Sequence, residues 1–305
     1  MISEPAFTRA RVVFLLASLC CLLWGSAYPA IKTGYALLGI ARDDVAAQLV
    51  FAGYRFMGAG ALILVFAAAS GKVLGGLTAR QMLQLATLGV FQTSLQYVFF
   101  YIGLAHTTGV KASILNAAGA FFSVMLAHLL YRNDRLTWRK LAGCVLGFGG
   151  VLVVNLGGTV GLEFQLSGEG FVILAALVLS SASIYGKKLS QDMDSVVMTG
   201  YQLALGGVVL WLLGWGNGGH LHVFNLQSAL LLAYLMGLSA VAFAVWGVLL
   251  KFNKVSRITV FNFLIPIFGA GLSAVFLGES LWAWKNLVAL VLVSVGIWSV
   301  TQAPE

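Results

Sequence analysis

The sequence predicts an all-α integral membrane protein with ten transmembrane helices, arranged as two inverted five-helix repeats. Three observations lead to this prediction. Only 9% of the 305 residues are charged and 60% are hydrophobic, whereas a soluble domain carries about 25% charged residues. The chain contains ten apolar segments, each long enough to cross about 30 Å of hydrocarbon. Several sequence patterns also recur about half a chain apart.

The apolar segments are joined mostly by very short connections, so neighbouring helices must run antiparallel. No connection is long enough to form a separate soluble domain. The ten segments cover residues 12–31, 46–69, 81–104, 110–131, 139–156, 168–187, 195–215, 227–250, 256–277 and 282–301.

The basic residues are distributed unevenly between the two sets of segment ends. Of the 18 Lys and Arg residues, thirteen lie at the segment ends on one side of the membrane and four at the ends on the other side. The remaining one, Arg55, lies inside the second segment. Lys and Arg concentrate in the cytoplasmic loops of membrane proteins. The pattern therefore predicts a multi-pass protein with both termini in the cytoplasm.

The two halves of the chain resemble each other in sequence. The stretch GVKASILNAAGAFFSVMLAHLLYRNDRLTWRKL at 109–141 corresponds to KVSRITVFNFLIPIFGAGLSAVFLGESLWAWKNL at 254–287, with a shift of 145 residues. GYRF at 53–56 recurs as GYQL at 200–203, shifted by 147. A nearly constant shift at several places indicates an internal repeat.

Each repeat contains five spans, and an odd number of spans inverts the second half relative to the first. Inverted repeats of this kind are typical of secondary transporters. We predict a first repeat at residues 1–158 and a second, inverted repeat at residues 159–305.

Five stretches resemble the EamA type of the drug/metabolite transporter superfamily. They are LLWGSAYPAIK (22–32), YRF (54–56), LQYVFFYIGLAHTTGVKASIL (95–115), RLTWRKLAGCVLGFGGVLVV (135–154) and LGESLW (277–282). The resemblance implies two inverted five-helix halves with a central cavity between them that works by alternating access. It also implies kinship with exporters of amino acids, aromatic amino acids among them, and with sugar-phosphate or nucleotide-sugar carriers.

Among the amides inside apolar segments, four are candidates for a functional role: Gln92, Gln96, Asn116 and Asn262. A polar side chain is costly against lipid, so each should face another helix or a water-filled cavity. A cavity lined by amides, small residues and rings suits a zwitterion or a hydrogen-bonding metabolite with an apolar part. We predict that these four residues bind substrate, and hydrogen bonding between helices is the alternative.

Two residues are predicted to kink or gate the helices. Pro266 stands near the middle of the ninth segment, where its missing N–H can bend a helix. His128 lies about one turn from the end of the fourth segment and could titrate near neutral pH to gate or couple protons. An interfacial histidine at a basic helix end is the alternative for His128.

Arg55 lies about ten residues into the second segment, where a charge is costly and points to function. Arginine binds a carboxylate or phosphate through two hydrogen bonds, so we predict a contact with substrate. The alternative is a structural partner, such as Asp43 or Asp44.

Aromatic residues are the candidate walls of the cavity. We predict Tyr28, Tyr101 and Trp246 as substrate-binding rings. Tyr101 and Trp246 occupy similar positions in the two halves of the chain. Ordinary packing or anchoring at the membrane interface is the alternative for each ring.

These features predict a secondary transporter of the cell inner (plasma) membrane that exports or exchanges a small metabolite, an amino acid or a similar compound. The alternative is an organic-phosphate or nucleotide-sugar exchanger, which needs several cations in the cavity. A proton-coupled drug exporter is disfavoured because all ten Asp and Glu residues lie in loops, tails or segment ends. A membrane-embedded enzyme is disfavoured because no HExxH motif, paired carboxylates or evident Ser-His-Asp set is present.

The expected partners are a small-molecule substrate and the lipid bilayer. No nucleic acid is expected, because the basic residues are spread over short loops. No cofactor or metal site is expected, since the three cysteines lack metal-ligand spacing. Gly143 and Gly147 form a GxxxG pattern, which packs helices closely within a monomer or across a homodimer, so both oligomeric states stay open.

Overall fold

The computed structural model describes residues 4–41, 43–106, 115–154, 165–221, 225–277 and 284–302. Within these ranges the regular elements are all helices. They are α1 (Ala10–Leu38), α2 (Val45–Ala69), α3 (Ala79–Gly89), α4 (Gln96–Ala105), α5 (Gly119–Leu130), α6 (Trp138–Val154), α7 (Phe171–Leu189), α8 (Ser195–Gly216), α9 (Leu226–Phe252), α10 (Val255–Thr259), α11 (Leu264–Leu277) and α12 (Trp284–Thr301).

Three tighter or wider turns interrupt the α-helices. A π turn at Val90–Leu95 joins α3 to α4, and another at Leu166–Gly170 leads into α7. A 3-10 turn at Val260–Phe263 joins α10 to α11. That turn ends shortly before Pro266, whose missing N–H leaves the carbonyl of Asn262 without its usual helical donor.

Among the described residues, six helical segments are long and apolar enough to cross a membrane. Shorter apolar helices lie at Leu115–Leu130, Val255–Gly269 and Val291–Thr301. The predicted all-helical, multi-pass membrane class is therefore confirmed. The six longer segments are Ala10–Leu38, Val45–Ala69, Ala79–Gly103, Leu166–Leu189, Ser195–Gly216 and Leu226–Phe252.

Short polar side chains set the starts of several helices. Thr78 and Asn225 form capping boxes at the starts of α3 and α9, and Asp44 and Asp194 accept backbone N–H groups at the starts of α2 and α8. These caps satisfy donors that have no partner within the helix. Gly39 ends α1 with φ 67°, a conformation that glycine adopts without strain.

The helices α2 and α8 pack antiparallel at very short distance. A Cβ atom added to Gly60 would lie 2.5 Å from the Ala204 nitrogen and 2.6 Å from the Gly200 oxygen. Only glycine allows the two backbones to approach so closely, as is common between helices in membranes.

A second close contact joins α6 to α12. A Cβ atom on Gly143 would lie 2.7 Å from the Gly296 oxygen, and one on Gly147 would meet the ring of Phe263. The GxxxG pattern of α6 therefore packs against helices of the same chain.

Asp134, in the connection between α5 and α6, ties that connection to the start of α10. Its carboxylate is 2% exposed and lies 2.6 Å from the Lys140 ammonium. The backbone N–H of Ser256 donates to the second oxygen at 3.0 Å, and the Ser256 hydroxyl also donates to the carboxylate. Lys140 donates in addition to the Arg135 carbonyl at 2.7 Å. Each of these buried groups thus has a polar partner, as burial of charge requires.

A second ion pair, Lys72–Asp194, is partly exposed, with the two groups 2.5 Å apart. Burial acts to raise the pKa of Asp194. Hydrogen bonds from Lys72 and from the backbone N–H groups of Val197 and Val196 outweigh this effect and hold the pKa below its ordinary value.

We expect Gly60→Leu to lower the free energy of unfolding in detergent by about 1–3 kcal/mol, because the new side chain meets the rigid backbone of α8. The matched control is Gly237→Leu in α9, where an added Cβ atom meets nothing within 4 Å. Thermal unfolding of both variants measures the difference. Equal melting temperatures for the two variants would contradict the close α2–α8 packing.

We expect Asp134→Asn to lower the free energy of unfolding by about 3–5 kcal/mol, because it leaves the Lys140 charge buried without a counter-ion. Asp194→Asn keeps a helix-capping side chain and removes only a partly exposed ion pair, so its effect should stay within about 1 kcal/mol. Denaturant unfolding of the two variants at pH 7 tests the contrast, and a larger loss for Asp194→Asn argues against it.

The contribution of the Asp194 charge to the free energy of unfolding depends on pH. Because the pKa of Asp194 is lower in the folded protein, this contribution is fully present above the pKa of an Asp in the unfolded chain, about 3.9. That stabilisation is lost as the pH falls through the folded-state pKa. The difference between wild type and Asp194→Asn should therefore shrink on acidification, and a difference that grows below pH 4 would exclude this account.

Candidate functional site

A cavity lies among the π turn that follows α3 and the helices α7, α8 and α9. All the space between its atoms, together with the open solvent at its mouth, measures about 370 Å³, of which about 30 Å³ is open to the centres of water-sized molecules. It lies near the end of the bundle where α7 and α9 finish and α8 begins, called here the basic end after Lys187, Lys188 and Lys251. The described lining residues are Gln92, Ser183, Gly186, Lys187, Met198, Thr199, Gln202, Phe243, Trp246, Gly247 and Leu250.

One wall of the cavity is polar. Gln202 is 2% exposed, and its side-chain nitrogen donates to the Thr93 hydroxyl at 2.5 Å. The Thr199 hydroxyl donates to the Ser195 carbonyl at 2.7 Å, and the Ser183 hydroxyl donates to its own helix in the same way, at 2.8 Å. Because these hydroxyl hydrogens are used within the helices, the hydroxyl oxygens are left to accept from a ligand.

Another part of the lining is aromatic. Trp246 lies edge-on to Trp24, with ring centres 5.0 Å apart, and Trp24 meets Phe243 at 5.4 Å. Phe243 in turn contacts Phe56 on α2 at 6.1 Å. Ring pairs at these distances and angles pack favourably, so the wall is held in place from α1, α2 and α9.

Lys187 supplies a positive charge at the edge of the cavity. It stands in the last turn of α7, and its ammonium donates to the Leu250 carbonyl at 2.8 Å and to the Asn253 carbonyl. The same ammonium lies 5.8 Å from the centre of the Tyr131 ring. A cation at these carbonyls complements the negative end of α9.

The structure brings two of the predicted binding residues, Gln92 and Trp246, into the same cavity. Sequence reasoning missed four polar members of its lining: Ser183, Lys187, Thr199 and Gln202. The internal repeat carried a signal for one of them, because a shift of 147 residues takes Arg55 to Gln202.

Arg55 and Tyr101 are buried outside the described lining of the cavity. Arg55 is 2% exposed, donates to the Ser239 hydroxyl at 2.8 Å and lies 4.9 Å from the centre of the Phe56 ring. Tyr101 packs against Tyr97, with ring centres 5.9 Å apart. The Arg55 bond joins α2 to α9, whereas the Tyr97–Tyr101 contact lies within α4.

The other predicted amides also stand apart from the described lining. Gln96 is buried about one turn beyond Gln92, and Asn116 is half-buried. Asn262 lies in the 3-10 turn, and its side-chain oxygen is buried without a hydrogen-bond partner among the described residues. The side chain of Tyr28, on α1, lies outside the described residues.

The two predicted kink or gating residues, His128 and Pro266, lie near helix ends and outside the described lining of the cavity. His128 is exposed, and its Nδ1 accepts the backbone N–H of Leu136 at 3.1 Å, so the ring links the end of α5 to the following connection. Pro266 is half-buried in the first turn of α11.

Comparison with known proteins gives a family and named relatives. The model of the EamA-like transporter family matches residues 11–156 and 166–302. An uncharacterized transporter of Archaeoglobus fulgidus is 30% identical over 265 residues, which are 84% of this chain and 86% of the relative. A probable amino-acid metabolite efflux pump of Salmonella typhimurium is 26% identical over 295 residues, which are 93% of this chain and 92% of the relative.

A solved crystal structure has the same fold as this chain. The two superpose with a TM-score of 0.78, over 96% of this chain and 97% of the other. The sequences are 18% identical, so the likeness shows a shared fold and nothing finer.

Proposed function

The chain belongs to the EamA-like transporter family, and we propose that it exports or exchanges a small metabolite, an amino acid or a similar compound, by alternating access. The observation that carries this proposal is the mixed lining of the cavity. It includes the polar residues Gln92, Thr199 and Gln202 together with the rings of Phe243 and Trp246. Such walls suit a compound with a hydrogen-bonding head and an apolar part.

The named relative in Salmonella typhimurium supports the same substrate class. It is described as a probable amino-acid metabolite efflux pump and matches this chain over almost its whole length. Kinship of fold does not transfer a substrate, so the argument depends on the chemistry of the cavity.

We propose that the ten spans form two inverted repeats, and the helix contacts support this. α1 packs against α9 and α11, and α7 packs in the same way against α4 and α5. α2 contacts α9, and α8 contacts α3. Each contact of a helix in the first half thus has a counterpart made by the corresponding helix of the second half.

Individual residues follow the same correspondence. A shift of 147 takes Arg55 to Gln202 and Gln92 to Ser239. Arg55 bonds to Ser239, while Gln92 and Gln202 line the same cavity. The repeat thus relates a closed contact, Arg55–Ser239, to an open one, between Gln92 and Gln202. One closed and one open equivalent site are expected of a transporter whose two inverted halves alternate.

The proposed location is the inner membrane, with the basic end and both termini in the cytoplasm, as the excess of Lys and Arg there favours. In that orientation the cavity lies toward the cytoplasmic side. A substrate for export would enter there and leave after the two halves exchange their packing.

An organic-phosphate or nucleotide-sugar exchanger is the alternative function. A phosphate with two charges needs several cations around it. Among the described lining residues Lys187 is the one cation, and Arg55 is bonded to Ser239 outside that lining. The charge of the cavity therefore favours the amino-acid proposal.

Counterflow in proteoliposomes tests the proposal. Vesicles are preloaded with one unlabelled compound, and uptake of the labelled form is measured for neutral amino acids, cationic amino acids and sugar phosphates. We expect accelerated exchange of a neutral amino acid. Gln92→Met should raise the half-saturating concentration about three- to tenfold, because one hydrogen bond to the substrate is lost.

The matched control is Gln84→Met, on α3 outside the described cavity lining, which should exchange like wild type. Exchange of sugar phosphates alone would reject the amino-acid proposal in favour of the alternative. Equal effects of the two glutamine substitutions would reject the cavity as the binding site.

A further inference from the structure

We propose that Lys187 binds the carboxylate of the transported metabolite and thereby restricts transport to compounds that carry a free carboxylate. The inference rests on the proposed function and adds the chemical group that the site selects. It depends on the charge of the cavity, on the hydrogen bonds of the lysine ammonium and on the neutral acceptors beside it.

The charge of the described lining is unbalanced. Lys187 is its one charged side chain, and no described carboxylate belongs to the lining. The nearby carboxylate of Asp134 is already bound by Lys140 and by both donors of Ser256. A cavity whose one described charged side chain is a cation attracts an anionic group more strongly than a neutral one, because the surrounding protein screens charge less than water does.

The ammonium of Lys187 is held in position by neutral groups. It has three N–H donors, and two of them are donated to the carbonyls of Leu250 and Asn253. Carbonyl oxygens orient the ammonium but do not cancel its unit charge. The third donor has no carbonyl partner among the described residues and lies near the Tyr131 ring, and a carboxylate in the cavity would give it a charge-assisted hydrogen bond.

The acceptors needed by the other end of an amino acid lie in the same lining. The hydroxyl oxygens of Thr199 and Ser183, whose hydrogens are donated to helix carbonyls, can accept from a ligand ammonium. Phe243 and Trp246 offer the apolar surface for a side chain. One cationic donor, neutral oxygen acceptors and a ring wall together complement a zwitterion with an apolar side chain.

The adjacent lysine provides an internal comparison. Lys188 follows Lys187 on α7, is exposed and does not belong to the described lining. Both residues contribute the same charge to the basic end of the bundle. A difference between them therefore reports contact with the substrate and not the general charge of this surface.

The experiment uses the purified full chain in proteoliposomes and competition against labelled L-phenylalanine counterflow. The unlabelled competitors are L-phenylalanine, its carboxamide, phenethylamine and 3-phenylpropanoate. We expect the carboxamide and the amine to compete at least about tenfold more weakly than the amino acid, because each lacks the charged partner of Lys187. The deaminated acid, which keeps the carboxylate, should compete better than the amine.

The variants are Lys187→Gln, Lys187→Arg and Lys188→Gln. Lys187→Gln should bring the amino acid and its carboxamide to within about twofold of each other, since the discriminating charge is gone. Lys187→Arg should retain the discrimination, and Lys188→Gln should behave like wild type. The ratio of the two competitors is independent of the amount of active protein, so a partial loss of reconstituted Lys187→Gln leaves the readout intact.

Three results would overturn the inference. One is equal competition by the amino acid and its carboxamide in wild type. This comparison does not need the Lys187→Gln variant, so it tests the inference even if that variant does not fold. Another is undiminished discrimination in Lys187→Gln. The third is a failure of every tested amino acid to exchange, which overturns the proposed function as well as the role of Lys187. If wild type exchanges L-phenylalanine and either of the first two results is found, only the role of Lys187 is overturned.

Discussion

Polar groups inside the bilayer have no water to bond with, so each must find its partner within the protein. This constraint shapes the interior of the bundle. The Arg55 guanidinium is bonded to Ser239 across two helices, and Gln202 is bonded to Thr93 across two others. Such bonds fix which helix faces meet, because any other packing would leave a buried polar group without a partner.

The same constraint explains why the open space has a polar side. Hydroxyls that donate to carbonyls of their own helix need no neighbour, so they can line a cavity at little cost. Thr199 and Ser183 are placed in this way, and Lys187 is satisfied by the end of α9. A cavity lined by such groups leaves few polar atoms without a partner.

Close glycine contacts hold the bundle together around that space. Gly60 lets α2 approach the backbone of α8, and Gly143 lets α6 approach α12. Each contact joins a helix of the first half of the chain to one of the second half. Of these four helices, only α8 contributes to the described lining of the cavity.

The sequence by itself determined the membrane class and the helical segments, because an apolar run of this length has one stable solution in lipid. It also singled out Gln92 and Trp246, since a lone amide or a ring in an apolar run is conspicuous. Their meeting in one cavity was decided by tertiary structure, because they lie 154 positions apart in the chain. Lys187 shows the limit most clearly. A lysine at a helix end is interpreted from sequence as a topology signal, and only the packing of α7 against α9 brings it to the edge of a cavity, since the surroundings of a side chain depend on its neighbours in space.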